Sequence, residues 1–141
     1  MIAKRIAAIF GCVLFVLLTS ATFPARAADA YLFAIMKQKA YRDAFVASVA
    51  AEKDLPAWIG QITGKEDYVA EPETHTTIDG VTYRLFHACK PHDCPNNELE
   101  VMFSPGGAPA YALLIEDKKP DRWFGKPNAA QQAALTQALD E

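Results

Sequence analysis

Cys89 and Cys94 bracket Lys90-Pro91-His92-Asp93, so thiol, amine, imidazole and carboxylate fall together in one short stretch. Four intervening residues are too many for the thioredoxin-type Cys-x-x-Cys redox spacing, yet few enough that a disulfide would shape a protruding loop with His92 held at its tip. Three chemistries are open to such a ring. A metal site would draw on His87, Cys89, His92 and Cys94, all acceptable zinc ligands. An oxidised cysteine pair gives up both thiolates, however, and residues so close in a tight loop hardly converge on a tetrahedron. A hydrolase would use His92 as base and Asp93 as its orienter, but the chain holds no Gly-x-Ser-x-Gly and no His-Glu-x-x-His. Residues adjacent in sequence also rarely take up base–orienter geometry. The third chemistry is recognition, with the loop entering a partner's cleft. Pro91 fixes its own φ and the ring closes the ends, so little entropy is left to lose on docking. A protonated imidazole donates from both nitrogens and can bridge two carboxylates across a cleft. Facing carboxylates of that kind are the apparatus of glycoside hydrolases. On spacing alone, recognition and a plain stapled turn with an exposed histidine stand level.

The N-terminus reports whether the sulfurs are bonded. Lys4 and Arg5 precede an almost unbroken apolar run from Ile6 to Leu18, and Ala25-Arg26-Ala27 supplies small residues three and one before a cut. These are the parts of a secretory signal peptide, residues 1–27, cleaved between Ala27 and Ala28. About 13 apolar residues fall short of the roughly 20 that span a bilayer. Cys12 lies within the apolar run and is read as a signal-peptide residue. The exported domain, residues 28–141, then keeps Cys89 and Cys94 alone, and an even count in an oxidising compartment argues for pairing. In the chain-entropy account so short a ring adds only roughly 2 kcal/mol, so it serves loop shape more than global stability.

Removal of Lys4, Arg5 and Arg26 leaves eleven basic residues against seventeen acidic ones, a net charge near −6. This speaks against nucleic acid or anionic lipid as partner and permits a cationic one. Solubility explains an acidic surface equally well.

The elements that must position the loop are legible in outline. Tyr31, Leu32, Ile35, Ala44, Phe45 and Val49 recur at helical spacing over Ala30 to Ala51, with a break expected near Gln38 to Ala40. Leu55-Pro56-Ala57-Trp58-Ile59 forms an apolar patch whose proline opens a short helical turn and whose indole anchors packing. Gly60 to Glu73 reads as loop, with at most a short strand near Tyr68 and Val69. Asp79-Gly80 between Thr74 to Ile78 and Val81 to Ala88 is a strong hairpin signal, and the second strand runs straight into Cys89. Leu99 to Phe103 and Ala110 to Ile115 supply two more strands around a turn rich in Gly and Pro. Asp117 to Lys126 is expected to be irregular, with Trp123 and Phe124 folded back on the core, and Asn128 caps a last helix over Ala129 to Leu139. The predicted fold is α+β, a single domain with an antiparallel sheet of four to five strands, helices packed on it and a protruding disulfide-closed loop. His75 and His87 are read as strand residues.

The loop Cys89-Lys90-Pro91-His92-Asp93-Cys94, the strand ending Phe86-His87-Ala88 and the upstream Leu55-Pro56-Ala57-Trp58-Ile59 together resemble the inhibitor of vertebrate lysozyme family, known as Ivy. The six-residue loop is a specific motif and shows no departure from the family pattern. Elsewhere the likeness is one of pattern over the mature chain. The resemblance implies a non-enzymatic periplasmic protein that needs no cofactor or metal. It implies that the loop protrudes from a small α+β domain and that its histidine enters the cleft of a c-type lysozyme between the catalytic carboxylates. Carried over by residue, contact falls to Lys90, His92 and Asp93, rigidity to Pro91, and stapling to Cys89 and Cys94. The family occurs in the Gram-negative periplasm, where host lysozyme and the cell's own lytic transglycosylases are both candidate targets.

Overall fold

Residues 30–65 and 67–140 are described by the computed structural model. The expected signal peptide, with Cys12, lies outside the described residues. The architecture rests on a six-stranded antiparallel sheet whose central run is a meander. Strand β1 is Val69–Ala70, β2 Thr74–Ile78, β3 Val81–Cys89, β4 Asn97–Phe103, β5 Ala110–Glu116 and β6 Arg122–Phe124. The path runs β1-β3-β4-β5-β6, and β2 pairs with the part of β3 that β1 leaves free.

The strand count exceeds the four to five expected, and the extra edge has a physical reason. The stretch expected to be irregular forms β6, because Trp123 and Phe124 point to opposite faces of the sheet and each finds apolar cover there. Phe124 is buried against the larger cluster and Trp123 packs on the smaller one. Gly125 follows at φ +76, and a Cβ there would sit 2.1 Å from the carbonyl oxygen of Ala110, so only glycine lets the chain leave β6 this close to β5. β4 also begins at Asn97, earlier than its apolar residues suggest, because Asn97 pairs with Glu116.

Both faces of the sheet are covered, which explains why β4 and β5 read as nearly continuous apolar runs. Phe86, Leu99, Val101, Phe103, Ala112 and Leu114 face the helices α1 (Leu32–Ile35), α2 (Lys39–Val49) and α3 (Ala57–Gln61). Leu85, Met102 and Leu113 face Leu135 of α4 (Ala129–Leu139). The break between α1 and α2 falls at Gln38, which is extended at φ −84 and ψ 123. Trp58 is buried in the larger cluster, as expected of a packing anchor. The hairpin forms at Asp79 and Gly80, with φ +50 and +78, the doubly left-handed backbone that this dipeptide favours. Asn128 caps α4 reciprocally: its side chain accepts from the Gln131 backbone and the Gln131 side chain accepts from the Asn128 backbone.

Candidate functional site

The loop is built at one end of the β3–β4 hairpin, where both strands are held by neighbours on either side. β3 delivers Cys89 in register with Glu98, and Lys90 N–H donates to the Asn97 carbonyl, which closes the ladder just before the chain turns out. Cys89 and Cys94 are disulfide-bonded, with their Cα atoms 4.9 Å apart. A short 3₁₀ turn, Cys94–Asn96, returns the chain to β4.

Inside the ring, Lys90-Pro91-His92-Asp93 is a tight turn. Asp93 N–H donates to the Lys90 carbonyl at 3.1 Å, proline occupies the second position, and His92 in the third has φ +64. This is the pattern of a type II turn, whose third position favours glycine. A histidine there costs roughly 1–2 kcal/mol of backbone strain, which the ring must hold. His92 is exposed.

Asp93 sits beside it with a different task. Its Oδ1 accepts from Asn96 Nδ2 at 2.8 Å, and its Oδ2 accepts from Lys90 Nζ at 2.9 Å and from Asn97 Nδ2 at 2.8 Å. The bond from Asn96, followed by that from Lys90, holds the Asp93 carboxyl below the usual carboxylate range. The base–orienter pair that hydrolysis would need is therefore not formed, because the carboxylate is turned to these donors. The disulfide likewise consumes both thiolates of the metal set His87, Cys89, His92 and Cys94.

Of the sequence-derived site residues, Cys89, Lys90, Pro91, His92, Asp93 and Cys94 are thus brought into one ring. His87 and His75 stand apart from it. His75 is an exposed residue of β2. His87 lies opposite Glu100 across β3 and β4, with Nδ1 3.5 Å from Oε2. That contact is at the outer limit of hydrogen bonding and leaves the buried oxygen without a well-formed partner among the described residues. The interaction with Glu100 raises the His87 pKa against the burial that lowers it, and burial raises the Glu100 pKa against the pull of His87.

Two segments far apart in sequence meet at the foot of the loop. A groove of about 490 Å³ is lined by Pro56 and Trp58 from one side and by Lys90, Pro91 and Asn97 from the other. The Leu-Pro-Ala-Trp stretch and the cysteine loop are therefore spatial neighbours. Sequence reasoning missed Asn96 and Asn97 as site residues. The signal available was two asparagines just beyond an aspartate, a pattern suited to side-chain bonding across a turn.

A family model described as inhibitor of vertebrate lysozyme (Ivy) matches residues 71–141, the stretch that carries β2 to β6, the loop and α4. The chain is similar to the inhibitor of vertebrate lysozyme of Pseudomonas aeruginosa, at 30% identity over 122 residues, covering 77% of this chain and 77% of that protein. It is similar to an uncharacterised protein of Yersinia pestis, at 29% identity over 119 residues, covering 76% and 75%. Its likeness to the inhibitor of vertebrate lysozyme of Escherichia coli is 32% over 76 residues, covering 54% of this chain and 45% of that protein.

Proposed function

This chain belongs to the inhibitor of vertebrate lysozyme family, and from that premise we propose that it inhibits c-type lysozyme by inserting the Cys89–Cys94 loop into the active-site cleft. His92 is the inserted side chain and engages the two catalytic carboxylates. The mature domain, residues 28–141, acts in the periplasm after loss of the signal peptide. Among the described residues no helix is long and apolar enough to cross a membrane.

The observation that carries this reading is the apex itself. A non-glycine residue is held at φ +64, exposed, at the tip of a disulfide-closed ring. Strain of this kind persists only where the surroundings over-determine it, and it concentrates at binding and catalytic sites. A preset loop loses little conformational freedom on docking, so the contacts it makes appear as affinity. An imidazolium between two carboxylates donates to both, and it does so from a shorter stem than that of lysine or arginine. The protein acts by occupation of the cleft, and the His92–Asp93 pair that hydrolysis would need is not formed, since Asp93 is committed within the loop.

The test is titration of the purified mature protein into a cell-wall lysis assay with a c-type lysozyme. Lysis should fall in proportion to added protein and stop near equivalence. Full lysis at micromolar protein would refute the proposal.

A further inference from the structure

We propose that Asp93, Asn96 and Asn97 form a positioning set that presets the loop, and that Asp93 serves presentation of His92 and not contact with the partner. This rests on the reading of the loop as the inhibitory element and assigns roles within it that the motif does not reveal.

The disulfide fixes only the mouth of the ring. It ties Cys89 to Cys94 and restricts the torsions from Lys90 to Asp93 without fixing any one of them, the φ of Pro91 being set by its own ring. The Asp93 carboxylate fixes the inside. One oxygen holds Asn96 in the return turn, and the other holds both Lys90 at the start of the turn and Asn97. Asn97 is the first residue of β4, which is paired on both sides, so its amide anchors the apex to a central strand of the sheet. The backbone runs parallel to this brace, with Asp93 N–H on the Lys90 carbonyl and Asn96 N–H on the Asp93 carbonyl. Without these bonds nothing in the ring requires His92 to remain left-handed.

Charge gives a second argument. A free aspartate next to the apical histidine would face two carboxylates in the partner's cleft, and like charges brought together in a desolvated site repel strongly. Pairing Asp93 with the Lys90 ammonium and two amides masks that charge before docking. The tip then enters the cleft with the imidazole as its uncancelled polar group.

The experiment compares inhibition constants, thermal midpoints and ¹⁵N relaxation of the His92 amide for the wild type, Asn97→Ala, Asp93→Asn, and Asp93→Asn combined with Asn97→Asp. Asn97→Ala should weaken inhibition by about 5- to 20-fold, the loss of one hydrogen bond to a charged group, with an unchanged thermal midpoint and a more mobile His92 amide. Asp93→Asn alone sets an amide N–H against donors and should weaken inhibition similarly. Adding Asn97→Asp exchanges donor and acceptor and should recover most of the inhibition together with the order of His92. The proposal is overturned if Asn97→Ala inhibits like the wild type or if the combined variant is no better than the worse single one. Should the wild type fail to inhibit, the inhibitor reading falls, and the relaxation data alone judge the positioning set: an equally ordered His92 in Asn97→Ala rejects it.

Discussion

His87 and His92 flank Cys89 and carry the same imidazole, yet the fold uses them in opposite ways. His87 is half-buried in the sheet, in register with Glu100, and the nearby carboxyl raises its pKa. His92 is exposed at the tip of a ring, in a left-handed backbone, and the hydrogen bonds of the loop run between Asp93 and its neighbours. The difference lies in what holds each residue. Long-range strand pairing fixes His87, whereas short-range covalent and polar bonds fix His92. The sheet region should therefore answer to perturbation through stability, and the loop through binding.

The sharpest way to break this contrast is to remove each imidazole in turn. Loss of a desolvated, doubly hydrogen-bonded group from an interface centre commonly costs on the order of 2 to 5 kcal/mol, so His92→Ala should weaken inhibition well over tenfold with the thermal midpoint unchanged. His87→Ala should do the reverse. It leaves Glu100 buried without its partner, lowering stability by about 1–3 kcal/mol while inhibition at a temperature where the protein is folded stays near the wild-type value. Thermal melts and inhibition titrations on both variants check the pair, with His75→Ala as an exposed control. Equal effects of His92→Ala and His75→Ala on inhibition would remove the loop from the account.

A smaller effect follows from opening the ring. Cys89→Ala combined with Cys94→Ala releases side chains that must be reordered on docking, at about 0.5 to 1.5 kcal/mol each. Inhibition should weaken and the core should melt nearly as before, since the closed segment is short. Undiminished inhibition would show that the polar brace suffices without the staple.

Titration sharpens the contrast further, because the two regions respond to pH in opposite senses. Folding raises the pKa of both His87 and Glu100, so the folded pair holds its protons more tightly than the unfolded chain does. The His87 contribution is complete below the unfolded histidine value of about 6.5 and that of Glu100 only below the ordinary carboxylate range, and each is lost as pH rises through the folded value. Folding lowers the pKa of Asp93, so its contribution is present above the ordinary carboxylate range and is lost as pH falls through the lowered value. Denaturant melts from about pH 5 to 8 should show wild-type stability declining toward alkaline pH, with the slope reduced in His87→Gln. A wild-type stability that climbs across that window would contradict the assignment.

The smallest effect expected is on rates. With residues 1–27 removed as proposed, a domain of net charge near −6 would meet a basic lysozyme with electrostatic steering that is screened beyond roughly 8 Å at physiological salt. Raising salt should slow association and change dissociation little if His92 is inserted and desolvated as proposed. Stopped-flow kinetics distinguish this from a complex held by exposed ion pairs, whose dissociation would quicken with salt.

Much of this contrast is legible in the chain, and the part that is not shares one cause. Cys89 and Cys94, Asp79-Gly80 and Asn128 declare themselves because each acts through near neighbours in sequence. The pairing of His87 with Glu100 depends on the register of β3 against β4, which no local pattern reveals. β6 was hidden for the same reason: Arg122–Phe124 is too short to show alternation, and β5 makes it a strand. The role of Asn96 and Asn97 was within reach, being local, but it requires the return turn that brings their amides back to Asp93.

The most direct test of the central claim is a crystal structure of the equimolar complex with a c-type lysozyme. The account predicts the ring from Cys89 to Cys94 inside the cleft, in the conformation it has in the free protein, with the His92 imidazole within hydrogen-bonding distance of both catalytic carboxylates. A complex in which the loop remains in solvent, or in which His92 touches neither carboxylate, would contradict it.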